Sequence, residues 1–220
     1  MKELFILSTP IGNLKDITLR AVEVLKEADV ILCESPFKMR KLLHALKIQG
    51  KKFFTYRENP YFFKKIFKQL ENKKCVFITS AGTPLISDPG FGLVDEAFKR
   101  KIKVTPIPGV SALTTILSAC PLKMKEFAFL GFLPRSEGKI KKTISKFLDL
   151  KIPVVVFLSK RQIKKVGGVL VNFYKEAKIF VAREMTKAYE EFLLFKNPIA
   201  FEKWSEGEIL GEITMVILPK

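Results

Sequence analysis

The chain has 220 residues, with 39 lysines and arginines against 22 acidic side chains and a formal net charge of +17 at neutral pH. This length supports one large domain or two small ones and buries roughly 70% of the unfolded surface without staples. Three cysteines without C-x-x-C spacing and a single histidine exclude a disulfide scaffold, a cysteine-only zinc site and a multi-histidine metal site.

In chain order, the first apolar run, Leu4–Ser8, predicts a strand. It leads directly into STPIGNL (Ser8–Leu14), where Pro10 ends the strand and Gly12 and Asn13 tolerate unusual dihedrals. Ile17, Ala21, Val22, Leu25 and Ala28 then recur at helical spacing, and Val30–Cys33 is the next strand. Ser35–Pro36 reads as a helix N-cap followed by proline at the first position. Strands follow at Phe53–Tyr56, Cys75–Thr79 and Val104–Ile107. The fourth strand leads into TSAGTPLISDPG (Thr79–Gly90), where Ala81 and Gly82 allow a ligand to approach the backbone. The fifth leads into PIPGVSAL (Pro106–Leu113), whose helix start offers free amides. Each of the three loops also reads as an ordinary strand-to-helix turn. Together they leave one edge of a parallel sheet, where ligands bind in open α/β folds. Neither G-x-G-x-x-G nor a Walker sequence is present.

The helical pattern of 111–119 stops at Cys120–Pro121–Leu122, which places a domain break there, giving domains 1–119 and 122–220. Beyond it, strands are expected at Glu126–Leu130, Val154–Leu158, Ile179–Ala182, Glu191–Phe195 and Glu212–Leu218, with helices near 139–148 and 160–172. Adjacent strands near the end without a long helix between them imply antiparallel pairs in a mixed sheet. The fold class is therefore α/β, with a parallel-sheet N-terminal domain and a mixed-sheet C-terminal domain. Lys160, Arg161, Lys164 and Lys165 share a helix face, which is either a solvated surface or a phosphate contact. Lys64, Lys65 and Lys68 beside Phe62 and Phe63 make a second, weaker basic patch. Arg183, Glu184, Lys187, Glu190 and Glu191 are either a surface ion-pair network or substrate-facing. His44, beside Leu43 and Leu46, reads as structural, and Cys33, Cys75 and Cys120 read as core.

The basic residues are spread over both halves, net +9 in 1–110 and +8 in 111–220, so they do not form a basic tail. Nucleic-acid binding explains the excess, and so does an AT-rich genome that inflates the 32 lysines and 20 phenylalanines. No apolar run approaches the ~18 residues of a membrane span. The start MKELFILSTP is too short in apolar residues for a signal peptide, so a cytoplasmic location is expected.

STPIGNLKDITLRAVEVLKEAD, SAGTPLISDPGFGLV, IPGVSAL, FLGFLPR and AREMTKAYEE, in this order and spacing, resemble the ribosomal RNA small-subunit methyltransferase I family within the tetrapyrrole-methylase superfamily. The resemblance spans nearly the whole chain. It implies two α/β domains with S-adenosylmethionine in the cleft between them, a homodimer, and 2′-O-methylation of a cytidine in 16S ribosomal RNA of the small subunit. By motif matching it implies that Pro10, Ser80, Ala81, Gly82, Thr83, Ile86, Asp88, Ser111 and Ala112 line the cofactor site from the first domain, and Leu158 and Met185 from the second. No metal is implied. The chain departs from the family pattern at ESPFKMR (Glu34–Arg40), where the family reads E-D-T-R, and at LSKRQ near 158; both changes bear on the RNA site.

A ribose hydroxyl is a poor nucleophile and needs a proton acceptor. Glu58, Glu184 and Glu34 are the carboxylates near matched loops, and Lys187 is a candidate if burial lowers its pKa. Arg57, Lys160, Arg161 and Arg183 are candidate RNA phosphate contacts. Two alternatives stand beside this reading: a small-molecule tetrapyrrole methylase, whose anionic substrate also suits a basic cleft, and a non-catalytic RNA-binding protein.

Overall fold

The structure, a computed structural model, describes Met1 and Glu3–Lys220. The chain divides into two compact units, Met1–Ser111 and Ala112–Lys220.

In the first unit, five strands alternate with four helices: β1 (Glu3–Leu7), α1 (Leu19–Glu27), β2 (Val30–Cys33), α2 (Pro36–Ala45), β3 (Lys52–Thr55), α3 (Pro60–Gln69), β4 (Lys74–Ile78), α4 (Phe91–Lys99) and β5 (Lys103–Ile107). The strands form one wholly parallel sheet in the order β3-β2-β4-β1-β5. Such a sheet is covered on both faces, which is why β2 and β4 are continuous apolar runs rather than alternating ones. Helices α1 and α2 pack Ala21, Leu25, Met39, Leu42 and Leu43 against Leu7, Ile31, Val76 and Ile78. Helices α3 and α4 pack Phe63, Ile66, Phe67, Leu93 and Ala97 against Leu4, Leu32 and Phe77 on the other face. The helices start where local chemistry supplies an acceptor. Thr18 Oγ1 caps α1 through the Ala21 amide, and Asn59 Oδ1 caps α3 through the Phe62 amide, with Pro60 at its first position.

The second unit opens with α5 (Ala112–Ala119), which packs against the last strand. The expected break at 119–122 thus falls at the far end of this helix. The unit continues with β6 (Ala128–Phe132), α6 (Glu137–Leu148), β7 (Val154–Leu158), α7 (Lys160–Phe173), β8 (Lys178–Arg183), β9 (Glu191–Phe195), α8 (Pro198–Ser205) and β10 (Ile213–Leu218). Its sheet is mixed, in the order β6-β7-β10-β8-β9, with β10 antiparallel to both of its neighbours. Helices α6, α7 and α8 cover one face through Ile140, Ile144, Val166, Leu170 and Phe201. The α/β class with one parallel and one mixed sheet is the one predicted.

Local differences have physical reasons. Strand β6 begins two residues later than expected because its pairing starts at Ala128, opposite Val154, the first residue of β7; the register then shifts between Phe129 and Phe132, where Gly131 takes a positive φ. Helix α8 was not anticipated, since its eight residues are too few to show a period. Cys33 and Cys75 are buried as expected, but Cys120 is only partly covered and His44 is exposed on α2. No helix among the described residues is long and apolar enough to cross a membrane.

Candidate active site

The loops after β1, β4 and β5 leave the same edge of the first sheet, and hydrogen bonds lock them together. Thr9 N donates to Gly82 O at 2.9 Å and Gly82 N returns a bond to Thr9 O at 3.0 Å. Gly82 makes this bridge at φ +76, a conformation that side chains disfavour. Thr83 Oγ1 donates to the Val110 carbonyl at 3.0 Å, so its lone pair is free to accept from Ser8 Oγ at 2.9 Å. Ser8 N also donates to Ile107 O at 3.3 Å. The third loop approaches so closely that a Cβ on Gly109 would lie 2.9 Å from Ser8 Cβ. Ser8–Thr83–Val110 is therefore a single chain of hydrogen bonds through all three loops.

Against this cluster lies a groove of 320 Å³ that brings Pro10, Ser80 and Ala81 beside Met39 and Leu42, with Lys38 and Lys41 of α2 at its rim. Small and apolar residues dominate its lining. Thr9 Oγ1 is buried in the cluster with no hydrogen-bond partner among the described residues. The small side chains and the unpartnered Thr9 hydroxyl leave room for the nucleoside part of a cofactor to approach the chain closely. Gly82 and Thr83 sit in the lock itself, Ile86 is part-exposed further along the same loop, and Ser111 ends the unit just beyond Val110. Ala112 opens α5 in the second unit. In that unit Leu158 ends β7 and Arg183 ends β8, and both lie opposite Ile213 of β10. Leu158 and the buried Met185 thus reach one edge of their own sheet.

Asp88 lies on a constrained segment of the second loop. Leu85, Ser87 and Gly90 have φ of +69°, +65° and +128°, and a Cβ on Gly90 would come within 2.5 Å of the buried Phe77 ring. Burial pushes the Asp88 carboxyl up to about 6, the Glu34 carboxylate adds to the rise, and the Thr79 hydroxyl opposes it. Strands β2 and β4 are neighbours in register, Cys33 opposite Ile78, so Glu34 and Thr79 leave the sheet side by side.

Of the acceptors expected from the sequence, Glu34 is exposed, while Glu58, Glu184 and Lys187 are engaged in internal bonds; Asp88 was expected as a cofactor residue. Glu58 accepts from Tyr56 OH at 2.7 Å, Gly92 N at 2.7 Å and Gly90 N at 3.1 Å, which pins the start of α4. Burial raises its pKa, but these three donors outweigh that and leave it lowered. Glu184, at φ +50, accepts from Lys187 Nζ and Glu212 N, both at 2.8 Å, and the lysine bond above all holds its carboxyl low. Lys187 reaches Glu212 as well, at 2.9 Å; burial favours its neutral form, yet the two carboxylates raise its pKa and keep it charged. Of the phosphate candidates, Arg57, Lys160 and Arg161 are exposed, and Lys160 is 3.8 Å from Glu208. Arg183 is committed to Glu191 at 2.8 Å and to the Leu210 carbonyl at 3.2 Å. Sequence reasoning did not single out Ser8, Thr9, Lys38 or Lys41. The signal available for the first two was a pair of hydroxyl residues immediately after the apolar run Leu4–Leu7. Among the described residues no cluster of histidine, cysteine, aspartate and glutamate could hold a metal.

A parallel-sheet unit with three interlocked loops at its carboxyl edge, followed by a mixed-sheet unit, defines the class: the profile of the tetrapyrrole (corrin/porphyrin) methylases matches residues 3–199, and the chain belongs to that family. Solved structures share the fold. They include a diphthine synthase, with a TM-score of 0.76 and 16% identity over 99% of this chain and 90% of that one, and a uroporphyrin-III C-methyltransferase from Thermus thermophilus complexed with S-adenosylhomocysteine, with a TM-score of 0.65 and 19% identity over 98% and 97%. Within the family the chain belongs with proteins named ribosomal RNA small subunit methyltransferase I. It is 37% identical to that of Thermotoga maritima over the full length of both chains, and 40% identical to that of Coprothermobacter proteolyticus over 98% and 97%. It is an S-adenosylmethionine-dependent methyltransferase.

Proposed function

We propose that the chain 2′-O-methylates a cytidine of 16S ribosomal RNA in the small ribosomal subunit. The names of its relatives support the substrate, and the hydrogen-bonded lock of Ser8, Thr83 and Val110 supports the site. S-adenosylmethionine supplies an activated methyl group, so the protein's task is to orient the acceptor and exclude water. Pro10, Ser80–Thr83, Ile86 and Ser111 of the first unit hold the cofactor. Asp88 accepts the ribose proton: Glu58, Glu184 and Lys187 are held in internal bonds, and a carboxyl near 6 is ionised at neutral pH yet more basic than an ordinary aspartate. Glu34 keeps it basic. Lys38 and Lys41 face the incoming phosphates. This reading also places the protein in the cytoplasm, as a homodimer whose mass light scattering would report.

The test is incubation with methyl-labelled cofactor and small subunits from a strain lacking the enzyme. Label in a 16S ribose that resists alkaline cleavage is expected. Label in a porphyrinoid, or RNA affinity without any transfer, would replace this reading with a tetrapyrrole methylase or a non-catalytic RNA-binding protein.

A further inference from the structure

A second groove lies between the edge strand β3 and helix α3, with a volume of 400 Å³. Its floor includes Phe54 and Phe62, and its rim carries Arg57, Tyr61, Lys65 and Gln69. Tyr61, Lys65 and Gln69 are spaced i, i+4, i+8 and so form one ridge on α3. Tyr61 is 79% exposed and makes no aromatic contact among the described residues, which leaves its ring face open. No carboxylate lines the groove, and neither Arg57 nor Lys65 has an ion-pair partner among the described residues.

The opposite flank of α3 provides the contrast. The 620 Å³ groove there is lined by Glu71, Asp95 and Glu96, and its Lys99 and Arg100 are paired at 2.6 and 2.7 Å. That flank also holds Lys64 and Lys68, so carboxylates and cations are mixed there, whereas the β3–α3 flank is cationic and aromatic with no carboxylate in its lining. Single-stranded nucleic acid asks for that combination, bases stacking on rings while the backbone follows unpaired cations. The groove includes Thr55 and Arg57 at the carboxyl end of β3, the same sheet edge as the three locked loops. Only β2 separates β3 from β4, a distance of about 10 Å across the sheet, so a neighbouring nucleotide of one RNA strand can reach it.

We propose that the β3–α3 groove binds single-stranded RNA flanking the target nucleotide, with a base stacked on Tyr61 and the backbone held by Arg57 and Lys65. This rests on the RNA reading above and adds the surface that recognises the strand. The test uses the full chain and a labelled single-stranded RNA of about ten nucleotides, within the ~4–16-nucleotide footprint of single-strand binders. Tyr61→Ala is expected to weaken binding about tenfold. Arg57→Glu with Lys65→Glu is expected to lower the slope of log affinity against log salt by about two. Both variants should bind S-adenosylhomocysteine as the parent does, which reports an intact fold, and should raise KM for small subunits with kcat retained. A charge-matched control, Lys139→Glu with Lys142→Glu on α6, should leave affinity within about twofold. Unchanged RNA affinity in the Tyr61 and Arg57/Lys65 variants overturns the proposal. So does equal weakening in the control, equal binding of an RNA duplex, or full competition by polyglutamate. Failure of the parent to label 16S RNA while these binding differences persist would refute the enzymatic reading and leave the groove assigned.

Discussion

In its proposed role as proton acceptor, Asp88 is the residue on which chemistry and stability pull in opposite directions. Its carboxyl is raised from an ordinary 3.8 to about 6, chiefly by burial and then by Glu34. The folded state therefore holds the proton more tightly than the unfolded chain does. This favours folding below about pH 4 and is lost as pH climbs through 4 to 6. At pH 7 the ionised group is a net cost. The rise corresponds to roughly 3 kcal/mol, which partial solvent access reduces to about 1–2 kcal/mol. Asp88→Asn should accordingly stabilise the protein by about 1–2 kcal/mol at pH 7 and by almost nothing at pH 4, read from urea unfolding at the two pH values. The same variant should lose about 10²–10⁴ in methyl-transfer rate, and the parent's acid limb near pH 6 should vanish from the residual profile. A loss of both stability and rate would mark Asp88 as a structural residue instead.

Among elements, the second loop carries the most strain, and Gly90 is its fixed point. A side chain there meets both a φ of +128° and the Phe77 ring. Gly90→Ala should cost about 2–4 kcal/mol, from backbone strain and overpacking together, visible as a lowered urea midpoint with an unchanged slope. The elements themselves were largely legible in the sequence, because β2, β4, β7 and β10 are short apolar runs bounded by polar or turn residues. The register of β6 was not, since a bulge depends on its partner strand. Nor was α3 assigned, although Lys64, Lys65 and Lys68 stood out: its rings Tyr61, Phe62, Phe63 and Phe67 surround those lysines with apolar residues. The three loops could be recognised as candidates from their proline and glycine content. Their lock could not, because Ser8 and Thr83 are 75 residues apart and nothing local encodes their bond. Likewise Glu58, Glu184 and Lys187 looked equally suited to proton transfer until their partners at Gly92, Glu212 and one another were in view.

For the whole molecule, a ligand gripped by loops of the native state stabilises that state by mass action. S-adenosylhomocysteine at about 100 times its Kd should add about 2.7 kcal/mol, or roughly 5–10 °C in Tm for a chain of this size. A thermal melt showing no rise at saturating ligand would contradict the assignment of the groove beside Pro10 and Ala81. The charge of +17 is evenly divided along the chain, so salt should weaken association with ribosomal RNA without unfolding either unit.

The place of β10 at the centre of its sheet has a consequence for synthesis. The N-terminal sheet contains no strand from beyond Ile107, whereas β7 and β8 flank a gap that only Ile213–Leu218 can fill. As the polypeptide leaves the ribosome, the first sheet has all its strands once Ile107 has emerged, while the second stays unclosed until Ile213–Leu218 follow more than a hundred residues later. During that interval the bare edges of β7 and β8 invite aggregation or chaperone capture. A premature stop a few codons before Ile213 should therefore act as a folding defect, leaving every residue assigned to the chemistry present and the product insoluble.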